Sequence, residues 1–84
     1  MKFRAKVQVW LRHGVADPEG HTVSEAINAL GYPGVAEVRM GKIVSMTIVA
    51  DSREVASHRV FEIATSLLSN PVLEDVIVEL EEAN

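Results

Sequence analysis

Leu67-Leu68-Ser69-Asn70-Pro71-Val72-Leu73-Glu74-Asp75 is the stretch that decides how this chain folds. A helical pattern runs into it and a strand pattern runs out of it. Pro71 has no backbone N–H to donate and pushes Asn70 out of the helical region. The last helix must therefore end at or before Asn70, and Val72-Leu73 must leave extended. Nothing around this junction looks catalytic.

Upstream of the junction, Ala56, Val60, Ile63, Ala64 and Leu67 recur at helical spacing, widened by Val55, Phe61 and Leu68. Asp51-Ser52-Arg53-Glu54 opens this second helix as an N-cap with a glutamate three residues on. Downstream, the core side of the final strand is expected to be Val72, Val76, Val78 and Leu80. At the other end of the chain, residues 2–12 alternate. Phe3, Ala5, Val7, Val9 and Leu11 point one way, and Lys2, Arg4, Lys6, Gln8, Trp10 and Arg12 the other, which is a half-buried strand. Asp17-Pro18 fits an N-cap followed by proline at the first helical position. Val23, Ala26, Ile27 and Leu30 then mark a first helix, with Gly31 as its stop.

Between the helices, Tyr32-Pro33-Gly34 is a turn. Ala36, Val38 and Met40 alternate with Glu37 and Arg39 as a second strand, and a third runs from Ile43 to Ala50. A two-residue Gly41-Lys42 loop would set the apolar side of one strand against the polar side of the other. An odd loop or bulge, with Gly41 at positive φ, instead pairs Met40 with Val44, Val38 with Met46 and Ala36 with Ile48. The expected fold is thus α+β, a ferredoxin-like βαββαβ sandwich, with an antiparallel four-stranded sheet and two helices on one face. Residues 1–84 are expected to form one domain.

Composition narrows the function. The 84 residues hold no cysteine, eight basic and twelve acidic residues, and a formal charge of −4. That balance argues against a nucleic-acid binder, and Trp10 by itself does not supply the stacking aromatics of an RNA-reading sheet. No apolar run approaches the ~20 residues of a membrane span, and Met1-Lys2-Phe3-Arg4 lacks the apolar core of a signal peptide, so a cytoplasmic protein is expected. The hydrophobic share is 48%, high for so small an interior, which points to a subunit contact. On the sheet face away from the helices, Trp10, Ile43, Val49 and Ile77 stand among polar neighbours and are the self-association candidates.

Chemistry is sparse. His13, His21 and His58 have no metal-ligand spacing and no cysteine to complete a zinc site. The serines have helix, strand or cap explanations. Gly41-Lys42 lacks the upstream glycine and following Ser/Thr of a phosphate loop. Asp17, Glu19, Glu74 and Asp75 read better as a cap and a solvated strand start than as paired catalytic carboxylates.

Four blocks together resemble one family. Arg12-His13-Gly14-Val15-Ala16-Asp17-Pro18-Glu19-Gly20, Ala29-Leu30-Gly31-Tyr32, Val38-Arg39-Met40-Gly41-Lys42 and Leu68-Ser69-Asn70-Pro71-Val72-Leu73-Glu74-Asp75 are similar to PurS, the small subunit of phosphoribosylformylglycinamidine (FGAM) synthase of de novo purine biosynthesis. The first strand, Lys2-Phe3-Arg4-Ala5-Lys6, is more basic than is usual for that family, a departure that touches no motif. The resemblance implies a non-catalytic assembly subunit that bridges a glutaminase (PurQ) and a synthetase (PurL) and supports ammonia transfer. It implies a homodimer or a dimer of dimers, with no cofactor bound by this chain. ATP, magnesium and glutamine would be used by the partner subunits. On this reading the partner-contact candidates lie in loops: Arg12, His13, Asp17, Arg39, Lys42, Asn70 and Pro71. Two other classes share the expected element order. One is an ACT-like small-molecule sensor, with Gly31 to Gly34 near its site; the other is a dimeric ferredoxin-like enzyme, for which the apolar faces leave no buried acid or histidine.

Overall fold

The structure is a computed structural model and describes residues 1–83. The elements are β1 (Lys2–Leu11), α1 (Pro18–Ala29), β2 (Gly41–Val49), α2 (Arg53–Ile63) continuing into a π-turn (Ala64–Leu68), and β3 (Glu74–Ala83). β1 lies at the centre of a three-stranded antiparallel sheet in the order β2-β1-β3. The α+β class is as expected, but the four-stranded sheet is not what one copy of the chain forms.

The missing strand is residues 36–40, which form no ladder. Glu37 sits at φ 55°, a left-handed conformation that breaks an extended run. The Met40 N–H is taken by Asp17 Oδ2 at 2.8 Å, and Arg39 Nη2 donates to the Leu11 carbonyl at 2.8 Å. The expected pairs Met40–Val44, Val38–Met46 and Ala36–Ile48 are therefore absent. Val44, Met46 and Ile48 instead pair with Val7, Ala5 and Phe3. Gly41 is needed for another reason than a turn. A Cβ there would stand 2.7 Å from Cε3 of Trp10, so only glycine lets the indole lie across the start of β2.

The core forms where the alternation of β1 meets α2. Phe3, Ala5, Val7 and Val9 are buried against Ala56, Val60 and Ala64, with Val76, Val78 and Leu80 of β3 packed around them. Ser52, not Asp51, caps α2 by accepting from the Val55 N–H at 3.2 Å. The wider π-turn keeps Ala56, Val60, Ala64 and Leu68 in one inward row and swings Leu67 out, to 78% exposure. Val72, expected in the core, lies before β3 and is 75% exposed.

α1 also lies elsewhere than expected. The expectation put both helices on one sheet face, yet only α2 packs there, over β1 and β3. Residues 12–40 form an arm that leaves the sheet, carrying α1 outward. The radius of gyration is 16.4 Å, against about 12 Å for a compact chain of this length. The long axis of 51 Å matches a ten-residue strand (~33 Å) and a 12-residue helix (~18 Å) laid end to end. α1 itself follows the sequence: Asp17 caps it, Pro18 begins it, and Gly31 (φ 85°) turns the chain beyond it. β2 and β3 are the two edges of the sheet. β3 bears Glu74, Asp75, Glu79, Glu81 and Glu82, whereas the one charge on β2 is Lys42.

Candidate functional site

The loop candidates, scattered over sixty residues of sequence, converge on one end of the sheet. Arg12 is the staple. Its Nε donates to Asp75 Oδ1 at 3.0 Å, its Nη2 to the Pro71 carbonyl at 2.6 Å, and its backbone N–H to the Leu73 carbonyl at 2.9 Å. Asn70 organises the same loop from within. Its Oδ1 accepts from the Val72 N–H at 3.0 Å, its carbonyl accepts from Leu73 and Glu74, and its own N–H donates to Glu74 Oε1 at 2.7 Å. The Asn70-Pro71 corner is thus rigid, and it holds Leu67, Val72 and Leu73 out toward solvent. Sequence reasoning placed Leu67 and Val72 inward and missed this apolar corner, because a π-turn leaves no mark in a periodicity.

Across the sheet end, Asp17 fastens the arm. One carboxylate oxygen accepts from Gly20 N–H (2.9 Å) to cap α1, and the other from Met40 N–H (2.8 Å). These two backbone bonds, the Gly20 one foremost, hold the Asp17 carboxyl below its ordinary value of 3.8, and the nearby Arg39 adds to them. Arg39 also reaches the Arg12 carbonyl at 3.3 Å, which links the arm's two ends. Asp17 and Arg39 line an open cleft of about 740 Å³ together with His13, His21, Ser24 and Glu37. Lys42 lines a second cleft with Asp17, Met40 and Glu74. Arg12, Asp17, Arg39 and Asn70 are therefore spent on positioning, while His13 and Lys42 make no side-chain hydrogen bond or ion pair among the described residues.

The self-association candidates fall on the outer sheet face. Ile43, Gln8 and Ile77 lie side by side in one row across the three strands, with Trp10 in the next row. The indole N–H donates to Gln8 Oε1 at 3.0 Å, and Gln8 Nε2 donates to Glu79 Oε1 at 2.8 Å. Ile43 and Ile77 are half or more exposed. Val49, opposite Lys2, stands six residues along the strand and about 20 Å away, outside the cluster. Among the described residues no three His, Cys, Asp or Glu side chains converge as a metal site, and no helix is long and apolar enough to cross a membrane.

Comparison with known proteins identifies the family. Residues 4–82 match the family described as PurS: phosphoribosylformylglycinamidine (FGAM) synthase. The phosphoribosylformylglycinamidine synthase subunit PurS of Methanocaldococcus jannaschii is 34% identical over 79 residues, 94% of this chain and 95% of that one. Its crystal structure superposes with a TM-score of 0.86 over 98% of this chain and 99% of that one, so the aligned part includes the arm. The Bacillus subtilis PurS structure gives 0.85 at 38% identity, covering 95% and 99%. A chain in the structure of PurLQS from Thermotoga maritima gives 0.88 at 30% identity, covering 96% and 99%.

Proposed function

The chain belongs to the PurS family of FGAM synthase subunits, and we propose from this that it is the non-catalytic assembly subunit of that synthase, joining a PurQ-like glutaminase to a PurL-like synthetase. The observation that carries this is the near-complete superposition on a chain of the PurLQS structure. The physical need is plain. Ammonia freed into neutral water is mostly protonated and non-nucleophilic, so the glutaminase and synthetase sites must be docked to share it. Glutamine, ATP and magnesium belong to those partners, in the cytoplasm, and residues 1–84 act as one unit that binds none of them.

The stapled sheet end is the partner surface of this proposal. Arg12, Asp17, Arg39 and Asn70 fix its shape, Pro71 sets the corner, and His13 and Lys42 supply free polar groups for contact. A surface already locked by its own hydrogen bonds binds without losing much side-chain freedom. The outer face with Trp10, Ile43 and Ile77 is the self-association surface, and Val49 lies on the same face apart from that cluster.

The experiment measures glutamine-dependent FGAM synthesis by PurL-type and PurQ-type subunits with and without this chain. Its addition is expected to restore glutamine use by at least tenfold while ammonia-supported activity stays within about twofold. If glutamine use does not change and no three-component complex elutes on a sizing column, the assignment fails. A rise in melting temperature with a free amino acid would then favour the sensor reading.

A further inference from the structure

We infer that the free edge of β3 receives an extended segment of one of the two large synthase subunits, a segment that alternates apolar residues with lysine or arginine. Register fixes which backbone groups face that edge. The Ala50 N–H donates to the Met1 carbonyl, so odd-numbered residues of β1 bond to β2. The Arg12 N–H donates to the Leu73 carbonyl, so even-numbered residues of β1 bond to β3. Val76, Val78 and Leu80 stand opposite Val9, Val7 and Ala5 and therefore turn their backbone groups away from the sheet.

The chain closes both ends of this edge itself. The Glu74 N–H donates to the Asn70 carbonyl at 2.8 Å, and Arg53 Nη1 donates to the Leu80 carbonyl at 2.9 Å. Between these two stops, the carbonyls of Glu74, Val76 and Val78 and the N–H groups of Val76, Val78 and Leu80 have no partner among the described residues. They form a window of about 20 Å, which an added strand satisfies with its own backbone. The window starts at the corner that Arg12 staples, so it continues the partner surface already described.

Side chains select what enters. α2 lies over β1 and β3, and its flank with His58 and the half-exposed Phe61 bounds an open groove of about 520 Å³ along Val78. A strand laid against β3 sends alternate side chains under that flank, where apolar ones cover Phe61. The side chains between them emerge on the outer face beside Glu79. β3 carries five carboxylates and no cation. Arg4 pairs with Glu81 and Arg12 with Asp75, while Glu79 has no ion pair among the described residues. Lysine or arginine at the outer positions answers that carboxylate, and an acidic strand is repelled by it. The inference rests on the assembly reading for the identity of the partner.

The test is residue-resolved amide hydrogen exchange on this chain alone and in the sized complex with the PurL-type and PurQ-type subunits. The outward amides of Val76, Val78 and Leu80 are expected to slow at least tenfold in the complex. Ile77 and Glu79, whose amides already face β1, are the internal control and stay slow in both samples. An intact complex in which the three outward amides exchange within twofold of the free chain overturns the inference and leaves the assembly reading standing. Failure to form any complex overturns both. In a second measurement, Glu79→Lys is expected to weaken the complex at least tenfold. Glu79→Gln, which keeps an acceptor for Gln8 Nε2, is expected to weaken it no more than about threefold. A folded Glu79→Lys protein that assembles as tightly as the unaltered chain also refutes the proposed strand.

Discussion

Asp17 shows how much one side chain does in a chain of this size. It caps α1 through Gly20 and holds the return segment through Met40, so both ends of the arm depend on one carboxylate. Its pKa is lowered on folding, so the sign of the linkage follows. The stabilisation is complete above the unfolded value near 3.8 and fades as pH falls through the lower folded value. Acid titration followed by amide hydrogen exchange is therefore expected to loosen Gly20 and Met40 before the buried strand β1. Asp17→Asn is expected to loosen Met40 already at neutral pH, because the amide keeps one acceptor and turns an N–H toward the other donor. Protection at Met40 unchanged by Asp17→Asn at pH 7 would contradict this account.

At the scale of elements, what was legible in the sequence is what local chemistry decides. The alternation of β1, the Asp17-Pro18 start of α1, the Gly31 stop and the helix end before Pro71 all lie where the residues place them. The errors share a different origin. Ala36, Val38 and Met40 alternate like a strand, but the left-handed Glu37 and the Asp17–Met40 bond, twenty-three residues apart in sequence, override the pattern. Leu67 carries an apolar spacing that the π-turn rotates outward. The convergence of Arg12 on Pro71 belongs to tertiary geometry and leaves no local signal. The contact between α2 and β1 carries the core. Val60→Ala, at a site with no exposure, is expected to cost about 2 kcal/mol in urea unfolding. The same change at Phe61, on the solvent side, should cost much less, and a larger loss at Phe61 than at Val60 would show that α2 is seated the other way round.

For the whole molecule, the outer sheet face and the arm are separate surfaces, so assembly through one does not consume the other. Replacing Ile43 and Ile77 together by lysine removes the apolar row on the outer face without touching the core. Self-association through this face predicts a halved mass by light scattering and an unchanged thermal midpoint within a few degrees. An unaltered mass would move the contact elsewhere. The two margins of the sheet set how far such assembly goes. One margin is nearly free of charge, and the other carries five carboxylates. A bare strand is an open template for the next molecule, and like charges placed along it repel a newcomer. With one margin open and the other acidic, molecules added edge to edge would stop at a pair rather than run on as a fibre.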